Sequence, residues 1–488
     1  MVTITLTRPA AARVALLAAV LVTGVAALVS TAPMIVTASG GCLVLVILLL
    51  WRSDAPPILL LPPLFQWSEV AIVPLSTIWL QVPLGALSRY GADLERSALY
   101  GLAGVSALAI GLALGSRRLR GTTFAARLRA ETMVWRFREV ARVAFAAMGA
   151  GYAFAVVSAM AGPARELFNQ ASNIKYVGLF MLAYWCLVRG SHYRVLGAVM
   201  AFEVVFGMTG FFAEFKNSVL TFLVAALAAR PKLRPADFMA VGVAGVLLMS
   251  VAIFWSAIKI DYRLFLNQGT GAQVVTVPLS DRLSYLMDAA GSMDATRIAE
   301  GFDKLVSRHG YIEFLGLTMQ NVPGGIPHEN GQLTLAVLDH IAMPRVLFQD
   351  KPPLPSDTEI MAKYTGLRYR WDASTSISIG HLGELYIDFG YVGGLVAMGV
   401  MGWLVGLVYR TLRDYVASPV LITAGFCLMV TLPIAYFGTA YVKLIGSFVF
   451  TSVIAITVQR YALPTVLPML LRQPARQSPR SRPAPPRG

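Results

Sequence analysis

Charge is what this chain has least of. Only 14% of its 488 residues are Asp, Glu, Lys or Arg, and 56% are apolar. A water-soluble domain carries roughly 25% charged residues, so an ordinary soluble enzyme is excluded. Cysteine is nearly absent too. Cys42, Cys186 and Cys427 each stand alone inside an apolar run. Without a CxxC pair or close spacing there is no zinc-site pattern and no disulfide framework, and the three read as small buried hydrophobes. An acidic surface is also missing: the formal net charge is +15. In a soluble protein that would suggest nucleic acid. No basic module interleaved with aromatics occurs here, so no nucleic-acid partner is expected.

What the chain does have is long apolar runs. Twelve read as membrane helices: 10–30, 34–51, 57–80, 97–114, 140–160, 174–187, 195–212, 218–229, 238–258, 383–409, 419–436 and 442–458. A helix needs about 20 apolar residues to cross a bilayer. The runs are continuous and do not alternate, which favours helices over a barrel. The third contains Pro62, Pro63 and Pro74 and predicts a kink or break. The eighth is the shortest.

Arginine and lysine set the expected orientation. The connector after the fourth run holds Arg117, Arg118, Arg120, Arg127, Arg129, Arg136 and Arg138, which marks it as cytoplasmic. Arg189 and Arg194, then Arg230, Lys232 and Arg234, then Arg410 and Arg413, fall in alternate connectors. Both termini come out cytoplasmic. The first run follows Arg8 and resembles a signal peptide, but Ser30 to Pro33 makes a poor cleavage site, so it is expected to stay as a span. The basic tail 461–488 reads as disordered from about 472 and suits contact with membrane lipid.

One long segment breaks the pattern. Residues 259–380 contain no convincing span and carry 11 basic against 13 acidic side chains, leaving +17 on the rest. Parity puts this segment opposite the cytoplasm. Amphipathic helices are expected at 281–290, 293–306 and 332–341, and Ser356 with Glu359 forms a capping box for a fourth. The expected organisation is helices 1–9 over 1–258, an extracytoplasmic helical cap over 259–380, helices 10–12 over 381–460, and the tail.

Chemistry-bearing residues concentrate at 343–388. Arg345 and Lys351 lie between Pro344 and Pro352, and Arg368 and Arg370 follow. His381, Glu384 and Asp388 share a face at the start of the tenth run. Arginines and lysines suit a phosphate group, and His or a carboxylate suits acid–base work. Lys216 reads either as a snorkelling lysine or as a substrate cation. Glu69 and Glu203, inside apolar runs, read as bundle-holding charges, and His328 as a solvated loop histidine.

The run Pro344-Arg345, Lys351-Pro352, Thr375-Ser376, Gly383-Glu384, Tyr386, Asp388 with Gly390, and Gly393-Gly394 resembles the Wzy-type O-antigen and exopolysaccharide polymerases. The likeness covers about 280–400 and departs at Gln349, where proline is expected. It implies a multi-span protein of the bacterial inner membrane, with a periplasmic loop and a GT-C-like architecture. It implies transfer of a glycan from polyprenyl diphosphate to another lipid-linked repeat unit, with the lipid diphosphate leaving. Arg345 and Lys351 would then face the diphosphate, supported by Lys216, Arg368 and Arg370. Glu384, then His381, then Asp388, would serve as base, and Tyr386 would stack on a sugar. The lipid tail would lie in a groove between spans. No metal or cofactor is called for, and a chain-length regulator is a candidate partner. Two alternatives stay open: a ligase-like glycan transferase, and a transporter or flippase of lipid-linked glycan.

Overall fold

The computed structural model describes residues 6–471, except 53–54, 118–122, 211–213, 231, 234, 271–273, 344, 346, 349, 352–353, 368–376 and 416–417. Among the described residues, the regular structure is all helical apart from a two-residue ladder that pairs Leu6–Thr7 with Lys232–Leu233. The bundle begins with α1 (Arg8–Val29), α2 (Pro33–Leu50), α3 (Leu61–Leu80), α4 (Leu94–Gly115), α5 (Phe124–Val134) and α6 (Phe137–Met160). It continues with α7 (Arg165–Ser172), α8 (Ile174–Arg189), α9 (Tyr193–Met208), α10 (Phe215–Ala229) and α11 (Pro235–Leu266). The cap holds α12 (Leu279–Gly291), α13 (Ala295–His309), α14 (Ile312–Asn321), α15 (Gln332–Ala342) and α16 (Asp357–Thr365). The chain then re-enters the bundle as α17 (His381–Tyr415), α18 (Val420–Thr431), α19 (Tyr441–Thr457) and α20 (Leu463–Leu471).

Among the described residues, six helices are long and apolar enough to cross a membrane: Pro33–Leu50, Leu94–Gly115, Phe137–Met160, Gly162–Arg189, His381–Asp414 and Tyr441–Leu471. Three more apolar helices are shorter. The expected break in the third run does not cut it in the middle. Pro62 and Pro63 fall in the first turn of α3, where a missing N–H costs nothing, and the helix runs on through Pro74. The three cysteines are free and buried.

Small residues decide how the bundle closes. On α4 and α17, Gly111, Gly115, Gly402 and Gly406 face each other so closely that an added Cβ would strike the opposite backbone. Such contacts drive helix association where lipid offers no hydrophobic gain. The basic connectors gather at one end. There Arg413 Nη1 donates to the Ser116 carbonyl (3.3 Å), Arg129 Nη1 to Ala229 (3.2 Å), and Arg189 Nη1 to Met133 (3.4 Å). Glu131 accepts the N–H groups of Val420 and Leu421 at 2.7 and 3.0 Å.

The cap covers the other end. Three of its helices match the amphipathic segments expected at 281–290, 293–306 and 332–341. The Ser356–Glu359 capping box is present at α16. Helix α14 was not legible as a periodic segment. It is nearly all apolar on its inner side, with Ile312, Leu315 and Met319 buried. Helix α11 continues past 258 to Leu266, so the cap starts later than its apolar boundary suggested.

Candidate functional site

Below the cap, residues 436–441 cross from the end of α18 to the start of α19. Pro433 lies in a single 3-10 turn (Leu432–Ala435) that ends the helix, and it leaves the strap's N–H groups to find other partners. Two buried carboxylates supply them. The Phe437 N–H donates to Glu69 Oε2, and the Tyr441 N–H donates to Glu384 Oε1 at 3.0 Å. Glu69 is 6% exposed and Glu384 4%. Buried charge of this kind needs such donors. Gln66 Nε2 also donates to the Ile434 carbonyl at 2.7 Å.

His381 packs against the same strap. Its ring is fully buried and tilts onto Phe437 with centroids 5.7 Å apart. Neither ring nitrogen makes a well-formed hydrogen bond, and the backbones of Phe437 and Thr439 are its nearest polar neighbours. Gly380, at φ 90°, lets the chain pass the strap: a Cβ there would lie 2.7 Å from the Phe437 carbonyl. The Tyr311 ring rests against Gly438, and the Tyr311 N–H reaches the Glu69 carbonyl at 3.2 Å. Burial, with the Glu69 charge adding to it, pushes the Tyr311 phenol up.

Cations face both acids. Lys443 pairs with Asp357 of α16, tying the cap to α19, and acts electrostatically on Glu384. Glu69 feels the charge of Lys216, which also feels Arg263. Lys216 is exposed although Phe215 and Ser218 beside it are buried.

The remaining expected residues divide. Asp388 is 1% exposed and gives both oxygens to the start of α15. It accepts Leu333 N–H at 3.0 Å, Thr334 N–H at 2.7 Å and Thr334 Oγ1 at 2.6 Å. That is helix capping by a carboxylate, and it leaves Asp388 a positioning role. Lys351 closes the other end of α15, donating to the His340 and Met343 carbonyls. Arg345 is exposed in the turn between. Asp388 and Lys351 therefore grip opposite ends of α15. Tyr386 offers no open ring face: it is 2% exposed, packs on Tyr100 and His328, and donates to the Val322 carbonyl at 3.0 Å. Arg368 and Arg370 lie outside the described residues.

His328 is not a solvated loop residue. Its Nδ1 lies 3.2 Å from the Ile387 carbonyl, which also accepts the Glu329 N–H at 3.0 Å. This grip sits beside Gly390, where φ 67° and ψ −164° break α17, a conformation that only glycine adopts readily. Near Arg345, burial and the neighbouring Lys351 and Arg345 charges lower the His340 pKa. Hydrogen bonds from Tyr364 and Lys363 hold Glu329 low.

Sequence reasoning missed the strap and Tyr311, and it read Glu69 only as a bundle charge. The available signal was Gly438 interrupting an apolar run just before Lys443. No protein-family model, curated protein or solved structure matches the chain.

Proposed function

We propose that the chain polymerises polyprenyl-diphosphate-linked oligosaccharide repeat units at this strap, as the resemblance to Wzy-type polymerases implies. On this reading the chain crosses the bacterial inner membrane twelve times, with both termini cytoplasmic and the cap outside. The observation that carries it is the pairing of two buried carboxylates on one strap, with the Lys216 charge acting on one of them and a helical cap packed above. In the reaction, an acceptor hydroxyl attacks the anomeric carbon of the donor glycan. The bond from that carbon to the diphosphate breaks, and the lipid diphosphate leaves with the electron pair. Glu384 takes the hydroxyl proton. Fixed cations stabilise the growing negative charge.

The geometry redistributes the cations. Lys351 is spent on two carbonyls, and Arg345 is exposed in the turn after α15. Lys216 therefore becomes the first choice for the leaving diphosphate, with Arg345 meeting the anionic carrier from the cap. A second reading has support as well: polar groups within the bundle, Glu69 and Glu203 among them, are what a transporter of lipid-linked glycan would carry.

Deleting the gene in its native bacterium, with lipid-linked and surface glycans resolved by gel, separates these readings. Loss of long polymer with single repeat units retained supports the polymerase. Polymer that stays on its polyprenyl carrier points to the ligase-like transferase. Loss of polymer and of surface single repeat units alike, with lipid-linked units accumulating inside the cell, points to the transporter, and unchanged glycans overturn all three.

A further inference from the structure

Helix α15 carries two kinds of apolar surface. On one side Leu333, Val337 and Ile341 are partly or wholly buried. On the adjoining sector of the same helix, Leu335, Leu338 and Ala342 are exposed. The exposed stripe continues past the helix end through Met343, Leu347 and Phe348, and its large side chains are 38% to 75% exposed. Gln332 and Asp339 form a polar edge on its far side. A surface that meets water scatters its exposed hydrophobics singly, whereas these follow one another along one helix and its closing turn. We infer that α15 lies in the membrane surface as an in-plane anchor, with Leu335, Leu338, Leu347 and Phe348 in the lipid on the cap side.

The place of α15 in the fold supports this independently. It packs on α17 and α19, and both belong to helices apolar enough to cross a membrane. Its start is pinned to the cap-side ends of those helices. Asp388 of α17 accepts the Leu333 and Thr334 N–H groups. Gly331 lies against the Phe389 ring, and Thr334 reaches the side chain of Tyr441, the first residue of α19. About 20 helical residues cross the hydrocarbon core. Counted back along α17 from Arg410 at the basic end, that length ends near Gly390, where the helix breaks. Asp388 and Phe389 therefore stand at the opposite boundary of the bilayer. From there the open side of α17 is apolar, with Phe389, Val392 and Val396 exposed. The α15 stripe joins that lipid-facing surface through the Gly331–Phe389 contact. A second copy or another protein docked on the stripe would have to displace lipid from this neighbouring face. Around the stripe, Asp339 and Asp350 offset Arg345 and Lys351, so buried apolar area and not attraction to anionic lipid holds the helix.

The inference rests on α17 crossing the membrane and goes beyond the polymerase reading, so its test needs no substrate. Purified full-length protein in phosphatidylcholine nanodiscs would carry an environment-sensitive fluorophore on Leu338→Cys or on Asp339→Cys. Cys42, Cys186 and Cys427 are buried, and wild type gives the labelling background. Doxyl-labelled lipid should quench the label at 338 about threefold more strongly than the label at 339, with the order reversed for aqueous iodide. The same contrast is expected in discs that contain phosphatidylglycerol, because the charges around the stripe cancel. If Leu338→Cys fails size exclusion, Leu335→Cys is read in its place. Strong iodide quenching at both positions would put the helix in water and overturn the anchor. A label at 338 shielded from both quenchers would overturn it in favour of a second copy or another protein on the stripe. Lipid quenching confined to the anionic discs would overturn it in favour of attachment by charge.

Discussion

The two ends of the bundle use charge in opposite ways. At the basic end, Arg129 and Arg189 are partly open side chains that donate to carbonyls at helix ends. At the cap end, Glu69, Glu384 and Asp388 are buried carboxylates that accept N–H groups from other segments. An exposed arginine on a carbonyl adds little, because water replaces it readily. A buried carboxylate without donors costs much more. The cap end is therefore where substitutions should tell.

The largest effect should come from the strap acids. Glu384→Gln keeps the shape and an acceptor for Tyr441, and loses the base. Polymer measured by gel should fall at least a hundredfold while membrane insertion stays normal. Full polymer from this variant would make Glu384 structural and move His381 up as base. Lys216→Ala should lower polymer to a similar degree. Polymer at the wild-type level in that variant would return the leaving diphosphate to Arg345.

Asp388→Ala should come next. It removes three hydrogen bonds to a charged acceptor, each worth up to a few kcal/mol when buried, and frees the start of α15. Amide exchange at 332–342 should accelerate about tenfold or more, while Asp388→Asn restores part of the protection. Equal exchange in the alanine variant would show that the cap holds α15 by other contacts. At the basic end the contrast is sharp. Arg129→Ala should shift the thermal midpoint by no more than a few degrees, consistent with a loss below about 1 kcal/mol. A collapse on that substitution would erase the difference between the two ends.

Much of this was legible in the sequence. Apolar runs located most bundle helices, because a bilayer length imposes a visible period on composition. The charge face of His381, Glu384 and Asp388 was legible because a helix makes i, i+3 and i+7 coincide, and all three are indeed buried together. Their division of labour was not. Whether a carboxylate caps a distant helix or faces an opening depends on contacts across long sequence separations, such as Asp388 with Thr334. The strap was hidden for the same reason: its N–H groups meet Glu69 and Glu384 from helices far away in sequence.

The smallest effect is a pH dependence at the far end of α15. Burial and the charges of Lys351 and Arg345 depress the folded pKa of His340. The unfolded histidine titrates near its ordinary value of about 6.5. Below that pH the unfolded chain binds a proton that the folded chain resists, so His340 contributes stability above its unfolded pKa and loses it as pH falls through the folded one. Glu329 is also depressed, but the stability a depressed carboxylate contributes is fully present above about 4.3 and is lost only below it. Between pH 6.5 and 5 the difference between wild type and His340→Gln isolates the histidine. Protection factors at 335–343, taken relative to the intrinsic exchange rate at each pH, should fall on acidification in wild type and stay flatter in the variant. Parallel profiles would mean that the Arg345 and Lys351 charges do not bear on His340, and that this end of α15 is as tolerant as the basic end of the bundle.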